Sequence, residues 1–326
     1  MNHLTQPTVT DIFSAAERLR PVVNRTPVVR SDLLDNLVGA KVFLKLENMQ
    51  HTGAFKFRGA YNCLSQIDLN ESPDGVVAYS TGNHGQAVAT VGRMLDIPTI
   101  VVMPTDAPAN KIQKAKAQGA TVILYDRQLE SREAVAEKLA KDGRYTVVPP
   151  GDHPHVIAGQ GTIVLEILED VSGNALDIVL VPCGGGGLAA GTCLGLAAAG
   201  VPAQVWAAEP STFNDTERSL QSGQRETNQA GATSICDALQ APTPAVLPFS
   251  INQKGLSGVL LADDDAVLRA MRFLFDEFRV VAEPGGAVAL AALLNNPPES
   301  FSGKNIVVII SGGNVDPALF TRALGL

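Results

Sequence analysis

The chain reads Ile178-Val179-Leu180-Val181-Pro182-Cys183-Gly184-Gly185-Gly186-Gly187 and then continues through mostly small residues over 188–199. The aliphatic run predicts a buried strand, and the small residues after the glycines predict a helix that packs closely on it. Glycines at this position let backbone N–H groups face one anion at the helix N-terminus, where the helix dipole also favours negative charge. A phosphate site and a flexible turn both fit this loop when it is considered alone.

Short apolar runs of the same kind recur along the chain, with helical patterns between them. They span 42–46, 76–79, 99–103, 121–125, 178–181, 205–208 and 306–310, and helices are predicted over 87–95, 109–119 and 129–141. This alternation predicts an α/β fold with parallel or mostly parallel twisted sheets flanked by helices. Two lobes are expected.

The predicted boundary between the lobes is the break Pro149-Pro150-Gly151, which we interpret as a hinge. Residues 76–150 would form a small mobile domain, and 1–67 together with 154–326 a large domain. Ligands of open α/β sheets bind beyond the carboxyl ends of the strands. We therefore expect the small domain to close over a cleft at those ends.

The composition excludes several classes of protein. Of 326 residues, 45% are apolar and 18% charged, and the formal net charge is −8. Nucleic-acid binding and anionic-membrane binding need a basic surface, so neither is expected. The four cysteines show no paired spacing, and the polar residues 1–7 lack the apolar stretch of a signal peptide. A cytoplasmic protein that acts on small molecules is predicted.

One lysine is placed unusually, in the run Thr52-Gly53-Ala54-Phe55-Lys56-Phe57-Arg58-Gly59-Ala60. Burial between two phenylalanines would lower the pKa of Lys56 and give a neutral amine able to form a Schiff base. The alternative is an ordinary lysine whose stem packs on aromatic rings while its ammonium group reaches water. This segment alone favours the ordinary lysine.

Two further polar clusters follow predicted strands. Ser80-Thr81-Gly82-Asn83-His84-Gly85-Gln86 comes after 76–79, and Ser311-Gly312-Gly313-Asn314 comes after 306–310. The first offers hydroxyl, amide and helix-start N–H groups to a carboxylate or a cofactor oxygen. The second could place a neutral hydroxyl against a ring nitrogen, although a plain strand-to-helix turn also fits it.

In this order and over most of the chain, the lysine run, the Ser80 cluster, the glycine loop and the Ser311 cluster resemble the fold-type II pyridoxal-phosphate enzymes. Within these tryptophan synthase β-like proteins, the chain is most similar to the serine racemase and serine/threonine dehydratase family. Three further stretches support the resemblance: Lys45-Leu46-Glu47-Asn48, Ala158-Gly159-Gln160-Gly161-Thr162 and Glu283-Pro284.

The resemblance implies how the large domain would hold pyridoxal 5′-phosphate. Lys56 would carry the cofactor covalently and serve as the base at the substrate Cα, while Phe55 would pack against the pyridine ring. Asn83 would bond the 3′-oxygen, and Ser311 would face the ring nitrogen. The glycine loop, formed by Gly184, Gly185, Gly186 and Gly187, would hold the phosphate.

The same resemblance implies substrate and metal sites. The substrate carboxylate would lie on Ser80, Thr81 and the N–H groups leading to His84, with Arg132 near the substrate. An ordinary arginine on the surface of a helix is an equally good interpretation of Arg132. Glu209, Asp215 and the carbonyl of Phe213 would bind a divalent cation, Mg²⁺, Ca²⁺ or Mn²⁺. The alternative is a capped loop with two solvated acids. A homodimer is also implied.

The predicted activity is that of a dehydratase, an ammonia-lyase acting on a β-hydroxy-α-amino acid and giving a 2-oxo acid and ammonia. Serine, threonine, 3-hydroxyaspartate and phenylserine all remain possible substrates. A racemase of serine or aspartate with dehydratase side activity is the alternative, but these racemases carry a serine where this chain has Thr81. Remoter alternatives are a β-replacement enzyme and a catalytically silent protein that binds the cofactor or an amino acid.

Overall fold

The computed structural model describes residues 5–107, 109–172, 175–295 and 297–325. The strands of this part are β1 (Val28–Val29), β2 (Lys41–Leu46), β3 (Gly75–Tyr79), β4 (Thr99–Pro104), β5 (Thr121–Tyr125), β6 (Tyr145–Val147), β7 (Ile178–Pro182), β8 (Gln204–Pro210), β9 (Leu256–Ala262) and β10 (Asn305–Ile310). They form two sheets, in which every described neighbour except β1 pairs in parallel. The predicted α/β class is confirmed.

The helices alternate with these strands and cover the sheets. They are α1 (Val9–Leu19), α2 (Asp32–Val38), α3 (Lys56–Leu64), α4 (Asn83–Met94), α5 (Ala109–Ala117), α6 (Arg132–Asp142), α7 (Pro154–Asp170), α8 (Gly187–Ala199), α9 (Asp215–Ser222), α10 (Val246–Gly255), α11 (Asp264–Phe278), α12 (Pro284–Asn295) and α13 (Pro317–Leu324). Short 3-10 turns span Glu47–Met49, His51–Gly53, Asp237–Leu239 and Glu299–Phe301. Among the helices described, none is both long and apolar enough to cross a bilayer.

The larger sheet has the order β1-β2-β10-β7-β8-β9 and is buried on both faces. Alternate residues of β7 show this directly, because Ile178 and Leu180 belong to one core cluster while Val179 and Val181 belong to the other. Helices α11 and α12 contribute to the first cluster, and α7 and α8 to the second. Burial on both faces explains the unbroken apolar run of β7, which the sequence pattern had indicated.

The smaller sheet has the order β5-β4-β3-β6 and lies within 75–147. Helix α3 packs between the two halves of the molecule, because it contacts α7 of the larger sheet and α4 of the smaller one. Two chain segments connect the sheets, and the second contains Pro149-Pro150-Gly151, between β6 and α7. The predicted hinge therefore lies at a crossing between the sheets, while the domain boundaries themselves stay a prediction.

Some predicted helix limits were wrong. Helix α6 begins at Arg132 rather than at 129, because Ser131 caps it by accepting a hydrogen bond from Ala134 N at 3.1 Å. Helix α4 begins at Asn83, four residues before the predicted start at 87, so its N-terminus lies inside the Ser80 cluster. Helix α5 ends at Ala117, two residues before the predicted end at 119.

Candidate active site

The clusters predicted at the strand ends lie at the carboxyl edges of the two sheets. The glycine loop follows β7, and Ser311 follows β10, which pairs with β7 in parallel. The Ser80 cluster follows β3 of the smaller sheet. A hydrogen bond from Phe55 N to Ser311 O at 3.0 Å and a β-bridge between Ala54 and Gly312 attach the lysine run to the end of β10.

Lys56 is the first residue of α3, and its amino group points inward. Its Nζ donates a hydrogen bond to Pro150 O at 2.6 Å and lies 4.9 Å from the centroid of the Phe55 ring. Burial of the amino group lowers the pKa of Lys56 to about 8, although the negative charge of Glu283 opposes this shift. The bond to Pro150 O holds the amino group inside the molecule, and the lowered pKa makes the neutral amine more abundant than it is for a solvated lysine.

The second phenylalanine of the lysine run has a different role. Phe57 is fully buried, and its ring centroid lies 4.7 Å from that of His51 and 6.0 Å from that of Tyr61. It belongs to the core cluster that joins α3 to α4. Phe55 is thus the aromatic neighbour of the lysine amino group, while Phe57 anchors the helix that carries it.

The glycine loop leads directly into α8, which begins at Gly187. Gly186 has φ of 90°, in the left-handed region that glycine adopts without strain. A Cβ on Gly187 would lie 3.0 Å from the Cα of Gly151, so the hinge backbone packs directly on the helix start. The first N–H groups of a helix have no partner within it, and they offer an anion site here.

The Ser80 cluster forms the start of α4. Ser80 Oγ accepts a hydrogen bond from Gly82 N at 3.2 Å, and a Cβ on Gly82 would meet no atom within 4 Å. Thr81 is half-buried beside this open space. The helix start therefore has both donor groups and room for a bound carboxylate.

His84 serves the structure of this segment through its ring. Its Nε2 lies 2.8 Å from Val148 O, which can only accept, so Nε2 carries the proton. Burial lowers the pKa of His84 to about 3, and the charge of Lys56 contributes to the shift. The imidazole is therefore neutral, and the side chain is directed to the hinge segment, while its backbone N–H belongs to the first turn of α4.

Asn83 lies in a network that the sequence analysis did not foresee. Its Nδ2 donates to Glu283 Oε1 at 2.6 Å, and its Oδ1 accepts from Asn314 Nδ2 at 2.8 Å. Asn314 Nδ2 also donates to Thr52 O at 2.7 Å. The second hydrogen on Asn83 Nδ2 is left for a ligand oxygen, so the network orients Asn83 without using all of its donors.

Glu283 is the site residue whose role the sequence analysis missed. It is 4% exposed, and burial raises the pKa of its carboxyl to about 7. The sequence contained one signal, a lone acidic residue directly before Pro284 and the apolar helix α12. Nothing local in the sequence indicated that its partner would be Asn83, 200 residues away.

Ser311 is 4% exposed at the end of β10. A buried neutral hydroxyl, a lysine with a lowered pKa, a glycine loop at a helix start and open space at Gly82 together match the parts of pyridoxal 5′-phosphate with its substrate. The residues present therefore fit this cofactor.

The predicted metal residues lie at the end of β8 and the start of α9. Glu209 is fully buried, and its two oxygens accept hydrogen bonds from Thr216 N and Glu217 N, each at 3.0 Å. Asp215 Oδ1 accepts from Asn228 Nδ2 at 2.6 Å, while the buried Oδ2 has no hydrogen-bond partner among the residues described. Burial raises the pKa of Glu209 to about 8 and that of Asp215 to about 6.

The alternative of two solvated acids is wrong, because both carboxyl groups are fully buried. A metal is nevertheless not established. Within the described ranges, no group of three or more His, Cys, Asp and Glu side chains could hold an ion. Phe213, whose carbonyl was predicted as a ligand, is 7% exposed in the same loop.

Two cationic side chains lie near the cleft. Arg132 contacts Glu133 Oε1 through Nε at 2.8 Å, and its guanidinium lies 5.7 Å from the centroid of the Tyr79 ring. Its charge also contributes to the low pKa of His84, behind burial and Lys56. Lys111, which was not predicted, pairs with Asp237 at 3.3 Å, and its charge opposes the raised pKa of Glu283.

Comparison with known proteins places the chain in a family. The model of the family described as "Pyridoxal-phosphate dependent enzyme" matches residues 19–312. The chain is 42% identical to an L-threo-3-hydroxyaspartate ammonia-lyase from a Pseudomonas species, over 94% of this chain and 95% of that protein. It is 38% identical to a serine racemase from Schizosaccharomyces pombe, over 97% and 96% of the two chains.

A solved structure agrees with these relatives. The serine racemase from Dictyostelium discoideum superposes with a TM-score of 0.88 at 37% identity, covering 96% of this chain and 100% of that one. The predicted class, a pyridoxal-phosphate-dependent carbon–oxygen lyase acting on a β-hydroxy-α-amino acid, is confirmed. The chain therefore belongs to the pyridoxal-phosphate dependent enzymes of fold type II, in the branch that contains serine racemases and ammonia-lyases of hydroxy amino acids.

Proposed function

We propose that the preferred substrate is 3-hydroxyaspartate, which the chain converts to a 2-oxo acid and ammonia. The observation that carries this choice is the pair of cations near the cleft, Arg132 and Lys111. Each is now bound to a carboxylate, Glu133 and Asp237 respectively, which the second carboxylate of a substrate can replace. Serine, threonine and phenylserine bring no second charge that could pair with these cations. A Pseudomonas relative named for L-threo-3-hydroxyaspartate adds support.

The α-carboxylate of the substrate is proposed to bind at the start of α4. Ser80 and Thr81 offer hydroxyl groups there, and the first N–H groups of the helix, including that of His84, offer further donors. The open space at Gly82 gives the carboxylate room to approach the backbone. Negative charge at a helix N-terminus is also favoured by the helix dipole.

The proposed cofactor contacts follow the positions of the side chains. Lys56 would attach pyridoxal phosphate, Phe55 would pack on its ring, Asn83 would bond the 3′-oxygen and Ser311 would face the ring nitrogen. The glycine loop, formed by Gly184, Gly185, Gly186 and Gly187, would hold the phosphate. When bound, the cofactor supplies an electron sink for the substrate Cα.

The chain's own chemistry centres on the amino group of Lys56. As a neutral amine, Lys56 would take the proton from Cα, and the electrons of the Cα–H bond would form the Cα=Cβ double bond. The β-hydroxyl would leave with the electrons of the Cβ–O bond and take up a proton to become water. The released enamine is hydrolysed by water to the 2-oxo acid and ammonia. Ser311 carries no charge with which it could hold the nitrogen of a bound cofactor ring protonated, so the cofactor would supply a weaker electron sink, which favours elimination.

Thr81 supports elimination over racemisation. On the ring face opposite Lys56, the racemases of this family use a serine hydroxyl to move the second proton, and the β-branched Thr81 adds a methyl group and restricts χ1. Relatives named serine racemase keep racemisation as the second candidate activity.

A divalent cation at Glu209, Asp215 and the Phe213 carbonyl is also proposed. The support is the buried Asp215 Oδ2, an oxygen without a partner among the described residues, which is the kind of ligand that Mg²⁺, Ca²⁺ and Mn²⁺ prefer. A homodimer, a cytoplasmic location and a small domain that moves over the cleft complete the proposal, on the strength of the resemblance and the chain's composition.

The test is ammonia release from L-threo-3-hydroxyaspartate, L-serine, L-threonine and phenylserine, with and without Mg²⁺ and a chelator. Arg132→Ala or Lys111→Ala should lower kcat/KM for 3-hydroxyaspartate by about 10- to 100-fold, the value of a charge-assisted hydrogen bond, and leave serine nearly unaffected. Arg127→Ala, an exposed arginine paired with Asp106, is the matched control. A wild-type preference for serine or threonine, or equal losses on all substrates, would contradict the choice of substrate.

A further inference from the structure

Helix α10 and its N-terminal cap donate hydrogen bonds to the backbone carbonyl groups of the glycine loop. Gly186 O accepts a hydrogen bond from Asn252 Nδ2 at 3.1 Å, in addition to the first helical bond from Ala190 N at 2.9 Å. Gly185 O accepts from Ala245 N at 3.1 Å. Two successive carbonyl groups of the loop are thus bound to one helix and its cap.

These two bonds set the direction of the loop's donors. A peptide unit is planar and trans, so its C=O and N–H groups point in opposite directions. Binding Gly186 O on the side of α10 turns the N–H of Gly187 to the opposite side, and binding Gly185 O does the same for the N–H of Gly186. Both N–H groups then face away from α10, toward the side where an anion can approach.

Asn252 contacts the glycine loop on the side that faces α10. It is 1% exposed, and a Cβ built on Gly186 would lie 2.6 Å from its Nδ2 and 3.2 Å from the Cβ of Pro248. The α10 side is therefore filled by protein. The helix is fixed in turn by Asp152, whose carboxylate accepts hydrogen bonds from Val246 N at 3.3 Å and Leu247 N at 2.8 Å.

We propose that Asn252 is a positioning residue for the cofactor phosphate: it holds the glycine loop with its N–H groups directed at the phosphate and does not itself touch the cofactor. The proposal rests on the proposed placement of the phosphate on this loop. It assigns to α10, which carries none of the predicted site residues, a direct effect on cofactor affinity.

The test compares pyridoxal 5′-phosphate with pyridoxal, which lacks the phosphate. The full-length chain is stripped of cofactor with hydroxylamine and titrated with each compound, and binding is followed by visible absorbance. Asn252→Ala should weaken the binding of pyridoxal phosphate about tenfold, the usual effect of one buried hydrogen bond, and leave that of pyridoxal unchanged. Lys254→Ala, an exposed position on the same helix, is the control and should change neither.

A second variant covers the case in which Asn252→Ala does not fold. Ala245→Pro removes the N–H group that donates a hydrogen bond to Gly185 O. The φ of −67° at Ala245 already suits proline, so this variant should show the same loss of affinity for pyridoxal phosphate alone. Equal losses for both compounds, or an unchanged affinity for pyridoxal phosphate, would overturn the role of Asn252. A wild-type chain that binds both compounds equally would instead refute the placement of the phosphate on the loop.

Discussion

Arg58 lies two residues after Lys56, and its replacement by methionine should be among the most destabilising changes in the chain. The side chain is fully buried, and so is that of Glu47. Arg58 Nε donates a hydrogen bond to Glu47 Oε2 and Nη2 donates one to Oε1, each at 2.8 Å. On the other side, Nη1 and Nη2 contact the oxygens of Glu166 at 2.6 and 2.9 Å. Arg58 thus pairs with two carboxylates beneath the first turn of α3, and Lys45 supplies the second positive charge at Glu166.

The expected cost follows from what each carboxylate would retain. Without Arg58, Glu166 keeps Lys45 at 2.8 Å, but the carboxylate of Glu47 keeps, among the residues that the structure describes, only the hydroxyl of Thr26 at 2.6 Å. Leaving one buried charge uncompensated costs about 3–5 kcal/mol, a large part of the roughly 5–15 kcal/mol by which folded proteins are stable. Removing that charge as well, in Arg58→Met/Glu47→Leu, should recover at least about 2 kcal/mol.

The assay is equilibrium unfolding in urea, followed by the fluorescence of Trp206, the only tryptophan of the chain, and by circular dichroism. Arg25→Met is the matched control: Arg25 also binds two carboxylates, those of Glu169 and Asp170, but its side chain is 53% exposed. Its loss should cost less than about 1 kcal/mol. A cost below about 1 kcal/mol for Arg58→Met, or a double variant no more stable than the single one, would refute this reasoning.

Three further outcomes are expected. The pKa of Lys56 is about 8, and only its neutral form attacks a carbonyl. The rate at which protein stripped of cofactor binds pyridoxal phosphate again should therefore rise about tenfold from pH 7 to 9 and then level off. A rate that continues to rise up to pH 10.5 would indicate a lysine with an ordinary pKa. Mg²⁺ or Ca²⁺ should raise the Tm of the wild type and of Asp265→Asn, an exposed control, but not that of Asp215→Asn; equal shifts in all three would exclude Asp215 as a ligand. Thr81→Ser should raise the ratio of racemisation to elimination on L-serine on the order of tenfold by chiral chromatography, and an unchanged ratio would contradict the role given to Thr81.

Most of the strands that the sequence predicted are buried on both faces, although β5 is partly exposed. The runs at 178–181 and 306–310 are continuous aliphatic segments because helices cover both sides of β7 and β10. The strands that were missed are β1, β6 and β9. The first two have only two and three residues, and β9 is partly exposed along most of its length. Two or three residues are too few to give a detectable apolar run, and in β9 the apolar run begins only after Ser257 and Gly258.

The site was predictable where one segment supplies both the residue and its setting. A glycine loop between a strand and a helix is such a case, and so is the polar cluster at the start of α4. The partnerships of Glu283 with Asn83 and of Asn252 with Gly186 join residues 200 and 66 positions apart. Contacts of this kind arise from the packing of whole helices, and no local pattern encodes them.

A hydrogen bond joins the amino group of Lys56, the proposed site of cofactor attachment, to the backbone between β6 and α7. Its acceptor, Pro150 O, lies in the connection between the two sheets, one residue before Gly151, which packs on the start of α8. Any molecule that captures the lysine nitrogen takes a donor away from that carbonyl, which must then find a new one or turn toward water. The occupancy of a single nitrogen therefore changes the hydrogen bonding of the segment that connects the two sheets. The chemistry of Lys56 and the conformation of this connection thus share one backbone oxygen.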